Sequence, residues 1–416
     1  MFTARCVQIA FAVALGLIGW VAHAQEWTRF RGPNGTGLGL ATNLPAQWTD
    51  ADYRWKVKLP GAGHSSPVLW GDRLFVTGAN ATADQFVLVC LNAANGAELW
   101  RRAFPLPAYH THANNTLATA TPATDERHVY VSRVAGSDLL LTALNHDGSP
   151  AWEFNLGAIR TEHGQGHSPI VHAGRVILAK DHDQPGRIVA LDAATGRLIW
   201  ETPRRAGHAD YSTPCVVPAN DGADWLIFNT REDGVAAVDA ATGKVAWQAP
   251  GVLSLRSVSS PVAVAGLLIS SCGSGGGGNY VVALRPPAQP NEKPTIAWQI
   301  RKSAPYVPTT LALGERLFLW SEGGIVTCVR AATGEPVWQE RVGGNYFSSP
   351  VCADGKLFNL STTGEVVVVA ASDKYALLGR NALGEGGHAT PAVARGCLFV
   401  RTLNQLVCIG PRLAAP

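Results

Sequence analysis

Twelve histidines are spread along the 416 residues, and several fall at one recurrent place. His64, His167 and His388 each stand two or three residues before a proline that opens an apolar run. His163 and His208 lie slightly further upstream of such a proline, and His110 and His112 precede another. Tyr211, Tyr306 and Tyr346 fall in the same stretches. Imidazole titrates near neutral pH and is the commonest side-chain ligand of transition metals. Gathered at one mouth, these side chains could hold a metal or a polar ligand, or form only a hydrogen-bonded rim. Asp181-His182-Asp183 offers a second polar group, and Asp210, Glu232, Asp233 and Glu322 are further loop carboxylates. No histidine pair has a recognised metal-motif spacing, and no CxxC or CxxCH occurs. The glycine run 273–278 lacks the Lys-Ser/Thr of a phosphate-binding loop and reads as a hairpin.

What must position these residues is a repeat. Trp55, Trp100, Trp152, Trp200, Trp247, Trp298 and Trp338 recur every 40 to 52 residues, most after an Asn/Thr-Gly turn. Ser/Thr-Pro pairs keep step with them, at Ser66-Pro67, Thr121-Pro122, Ser168-Pro169, Thr213-Pro214, Ser260-Pro261, Ser349-Pro350 and Thr390-Pro391. A period of this length, rich in Val, Ile and Leu, marks a propeller blade of four antiparallel strands, A to D. Proline is tolerated at the first residue of strand A, and the tryptophan on outer strand D wedges against the next blade. Eight A strands can be counted, with Thr310 in a proline's place, but the last repeat ends without strand D. Tyr53–Lys58 resembles a D strand with no repeat before it, so it is expected to complete the C-terminal blade. An all-β, eight-bladed ring over residues 25–416 follows. The seventh repeat lacks its tryptophan and offers Leu377 or Leu378 instead.

Residues 1–24 read as a signal peptide, with Arg5, an apolar stretch and Ala22-His23-Ala24 before the expected cut. Export to the periplasm or medium is therefore expected, with no membrane insertion after cleavage. Seven cysteines remain; Cys90, Cys328 and Cys408 hold matching places and read as buried small residues, while Cys397 and Cys408 could face one another. A formal charge of +3 gives no reason to expect nucleic acid.

Three stretches exceed generic blade spacing: Trp27-Thr-Arg-Phe-Arg-Gly-Pro-Asn-Gly35, Gly63-His-Ser-Ser-Pro-Val-Leu-Trp-Gly-Asp72, and the repeated Ala-Leu-Asp-Ala-Ala-Thr-Gly phrase. Together they resemble the PQQ-like (quinoprotein-type) β-propeller family, most narrowly its exported members in planctomycete-type bacteria and more distantly its BamB type. The resemblance implies either of two trades. Enzymatic members hold pyrroloquinoline quinone (PQQ) and calcium over the ring axis, with a carboxylate base, a stacked tryptophan and often adjacent cysteines. Non-enzymatic members bind partners through surface loops. No two cysteines are adjacent here, and Cys6 lies ahead of the apolar stretch rather than at a lipid-acceptor position.

The leading expectation is a monomeric, non-catalytic ring that binds a protein or extended ligand through loops at its funnel face, without a cofactor. A PQQ- and calcium-dependent dehydrogenase with a diverged site, or a metal- or carbohydrate-binding module using the His/Tyr rim, are the alternatives. The candidate contacts are His64, His110, His112, His163, His167, His208, Tyr211, His388, Asp181 and Asp183.

Overall fold

The computed structural model describes residues 26–411, apart from 81, 108, 161–162, 183–185, 206, 220–221 and 289–291. The expected signal peptide and Asp183 lie outside the described residues. No helix among the described residues is long and apolar enough to cross a membrane.

Eight four-stranded antiparallel sheets follow one another around an axis. Seven are built from consecutive strands, while the eighth joins the two ends of the chain: Tyr53–Lys58 pairs with Gln405–Ile409, Trp55 lying opposite Cys408. Closure in this way removes the open edge that a three-stranded last blade would expose.

The tryptophan repeat has a physical reason at each blade junction. In blade after blade the strand-D tryptophan follows a β-bulge and lies under the C–D turn of the next blade. Trp55, Trp152, Trp200 and Trp298 donate their indole N–H to the carbonyls of Ala93, Ala193, Ala240 and Ala331 at 3.0–3.1 Å. The turn glycine covers the ring face. Gly196 has φ +71°, and a Cβ there would stand 2.6 Å from the Trp152 ring. Two constraints, left-handed backbone and close approach, thus fall on one residue. Gly196→Val will therefore destabilise the protein by about 2 kcal/mol or more, read as a lower denaturant midpoint. Opposite each tryptophan across the C–D pair sits a small residue: Cys90, Ala143, Ala190, Ala237, Ala283, Cys328 and Cys408. That register explains why three cysteines hold matching places. All seven described cysteines are free and buried, and the thiols of Cys397 and Cys408 lie within hydrogen-bond reach.

Blade seven departs from the expectation. Neither Leu377 nor Leu378 takes the tryptophan's position; Gly379 does, opposite Val368. A Cβ at Gly379 would stand 2.0 Å from the Ala46 carbonyl oxygen, because the N-terminal segment runs across this junction. Asn381 fastens it, accepting from the Trp48 N–H at 2.9 Å and donating to Ala46 O at 2.9 Å. Trp48 packs half-buried against the neighbouring core.

Candidate functional site

The Ser/Thr-Pro motif builds the wall nearest the axis. The backbone N–H of Ser66 donates to the Thr121 hydroxyl at 3.0 Å, and that of Thr121 to the Ser168 hydroxyl at 2.9 Å. The same link joins Thr213 to Ser260, Ser260 to Thr309, Thr309 to Ser349, Ser349 to Thr390, and Thr390 back to Ser66. Neighbouring blades are thereby stitched around the axis by hydroxyls that accept a backbone N–H and keep their own proton to donate. The next residue, usually proline, then starts strand A.

Residues Glu26–Gly39, which carry no repeat, cross one end of this ring as a strap. Trp27 bridges to Leu69 of blade one, and the Thr124 N–H of blade two donates to Thr28 O. Asn34 exchanges two hydrogen bonds with Val216 of blade four, and Gly37 and Gly39 bond to Cys352 of blade seven. Arg29 donates to Pro214 O; Arg31 donates to Thr310 O at 2.9 Å and Pro350 O at 3.3 Å. Those carbonyls belong to the residues just after the hydroxyl ring. Between the two buried arginines, half-buried Phe30 faces the opposite way and lines the axial cavity. The strap thus gives the channel a floor and turns it into a cup.

The cup has a volume of about 780 Å³, within the ~300–1,000 Å³ typical of small-ligand sites. Seven hydroxyl-ring residues line its base. Higher on the wall, the rings of His64 and His388 stack at 4.2 Å between centroids, with Phe347 edge-on to His388 at 4.8 Å. His112 and His163 stack at 5.2 Å. Tyr211, Tyr306 and Glu322 complete the polar wall. Hydrogen bonds fix several tautomers. Arg256 can only donate, so His163 accepts at Nε2, 2.8 Å away, and carries its proton at Nδ1. His388 donates from Nδ1 to Asn114 O at 3.1 Å, and His112 Nδ1 accepts the Asn114 N–H.

Burial favours the neutral form of two of these histidines, His64 and His388. Burial, then the nearby His388 and Arg401, pushes His64 down to about 3, and burial lowers His388 below its usual range. Behind His64, the fully buried Arg401 donates to Ser65 O at 3.0 Å and to the Ser65 hydroxyl. Glu322 accepts the N–H groups of Tyr306 and Val307 at 2.7 and 2.5 Å, yet burial still raises its pKa.

His64, His112, His163, His388 and Tyr211 therefore share the cup. The other candidates do not. His167 is buried behind Tyr211, 4.0 Å from the ring of His182, and burial lowers it to about 3. Asp181 is buried too, 3.2 Å from Arg204. His208 is exposed between Arg231 and Glu232, and His110 is exposed away from the cup. Tyr346, expected on the rim, is wholly buried against Trp320 because that inter-blade space needs a large ring. Among the described residues no three His, Cys, Asp or Glu side chains come together as a metal site. Sequence reasoning missed Phe30, Arg29, Arg31 and Phe347. The available signal was the Trp27–Gly35 stretch, dense in aromatic, arginine and glycine yet outside every repeat.

No curated protein matches the chain. Solved structures do, at the level of fold. BamB from Moraxella catarrhalis is 14% identical with a TM-score of 0.63, over 86% of this chain and 98% of that one. A quinohemoprotein alcohol dehydrogenase from Comamonas testosteroni is 12% identical with a TM-score of 0.64, covering 94% and 82%. A europium-containing methanol dehydrogenase is 13% identical with a TM-score of 0.63, covering 92% and 89%. The family described as outer membrane protein assembly factor BamB matches residues 47–214, 140–287, 295–376 and 322–410. With tryptophan docking, eight blades and terminal closure all in place, the chain belongs to the PQQ-like β-propeller repeat family.

Proposed function

We propose that this protein is an exported, non-catalytic binding protein whose funnel-face loops and one-mouthed cup receive an extended ligand. The observation that carries this reading is the floor. A strap that seals one end of an axial channel leaves a recess about 780 Å³ in volume, walled by many blades and open to a ligand from one side. Propellers suit such a task because a rigid ring presents loops from every blade to one occupant. Secretion to the periplasm or medium accords with the expected signal peptide.

The lining does not fit a calcium–quinone pair. Calcium takes six to eight oxygen ligands, commonly several carboxylates. Glu322 is the single carboxylate among the described lining residues, and one of its oxygens already accepts two backbone N–H groups. Among the described lining residues there is no tryptophan to stack on a quinone. A transition-metal module is likewise unsupported by the way His64 and His388 part company with His167.

Photo-crosslinking tests the reading. A benzoyl-phenylalanine placed at Asn114 on the cup wall should capture a ligand in the native compartment. The same group at exposed Glu340, on outer strand Pro336–Arg341, should not. Capture from the outer strand alone, or from neither place, would refute the cup as the binding site.

A further inference from the structure

Arg29 and Arg31 are fully buried, and neither has a carboxylate partner among the described residues; their hydrogen bonds go to backbone carbonyls. Burial lowers them to about 10 and about 9, so both remain charged at neutral pH. Two buried cations without counter-ions among the described residues project a positive potential into the space above. Directly above lie the hydroxyl ring and Phe30. Among the described lining residues the wall offers imidazoles, tyrosines and amides, one further cation, Arg256, one carboxylate, Glu322, and three aliphatic residues, Val258, Ala304 and Val307.

We propose that the occupant of the cup is an acidic saccharide, whose carboxylate or sulfate end sits over Phe30 against the hydroxyl ring. There it supplies the negative charge that Arg29 and Arg31 lack. A sugar ring presents an apolar C–H face to an aromatic floor and many hydroxyls to the wall, matching a surface of aromatic faces and hydrogen-bonding groups. An acidic peptide fits less well, because its apolar side chains would meet few aliphatic partners. Most of the hydroxyls at the base accept a neighbouring blade's N–H and keep their own proton, which they can donate to an anion. This inference rests on the cup being the binding site.

Calorimetric titration of the full chain decides it, with a uronate trisaccharide, a sulfated trisaccharide, their uncharged parent sugars and an acidic tripeptide as probes. At low salt at least one acidic sugar should bind about tenfold tighter than its parent, and the advantage should shrink in 0.5 M salt. Phe30→Leu, which keeps both arginines, should weaken acid and parent alike. Arg31→Gln, where it folds, should abolish the acid's advantage. Equal binding of acid and parent would overturn the role of charge. Binding of the peptide without the sugars would overturn the saccharide. If none binds while the Asn114 crosslink still forms, this inference falls and the cup reading stands; if the crosslink also fails, both fall.

Discussion

Trp55→Asp will open the ring. The indole is buried, lies under Gly96 of blade one, 5.9 Å from the Phe399 ring, and donates to Ala93 O. Aspartate removes that burial and places an unpaired carboxylate in an apolar seam. We expect a loss of about 4 kcal/mol or more in denaturant unfolding. The loss should exceed that for Trp298→Ala, whose indole is only half-buried between two blades made from continuous chain. A second readout separates closure from simple packing. Freed from Tyr53–Lys58, the strand Gln405–Ile409 becomes an unpaired edge, so Trp55→Asp should also self-associate on size exclusion. Trp298→Ala should stay monomeric.

Acidification from pH 7 to 5 should destabilise the protein by about 3 kcal/mol. Burial pushes five imidazoles toward the neutral form: His64 and His167 at about 3, His182 well below its ordinary value, and His388 and His146 lowered. Their charges face Arg401, Arg204 and Lys180, which add to the penalty. A base with a depressed folded pKa stabilises above its unfolded value near 6.5, and that stability is lost as pH falls. Each strongly buried histidine contributes about 2 kcal/mol over this interval. Buried carboxylates act the other way, Glu322 with its raised pKa among them. Burial raises Asp181 to about 6 and Asp210 to about 7, so each favours the folded state as pH falls through those values. They offset about half of the histidine effect. Thermal midpoints measured at pH 7, 6 and 5 should therefore fall, and His182→Phe, which keeps the ring and removes titration, should flatten the slope. A midpoint that rises on acidification would mean the carboxylates dominate.

Most of the fold was legible because it repeats. Tryptophan, turn glycine and Ser/Thr-Pro each recur at most of the places where a blade meets its neighbour, so one physical requirement is written many times. Even the closure by Tyr53–Lys58 could be counted from a missing last strand. Singular features were harder. Gly379 replaces a tryptophan only because residues 46–48 pass over it, and nothing local in blade seven announces that contact. The candidate site was legible in part. Position before strand A brought His64, His112, His163, His388 and Tyr211 to the cup. It failed for His167, whose ring turns between blades toward His182, and for Tyr346 beside Trp320. Phe30 and its flanking arginines were invisible as a site because their partners lie some 180 to 320 residues away in sequence, as with Pro214 and Pro350.

Residues 26–58 carry the account, since they supply both the seal of the ring and the floor of the cup. Amide hydrogen exchange followed by mass spectrometry reads them directly. Peptides covering 26–39 and 53–58 should exchange as slowly as the inner strands Arg73–Ala79 and Lys356–Leu360, and should open together with Gln405–Ile409. Rapid exchange of either segment, at the rate of an unstructured chain, would leave the ring unsealed and the channel open at both ends.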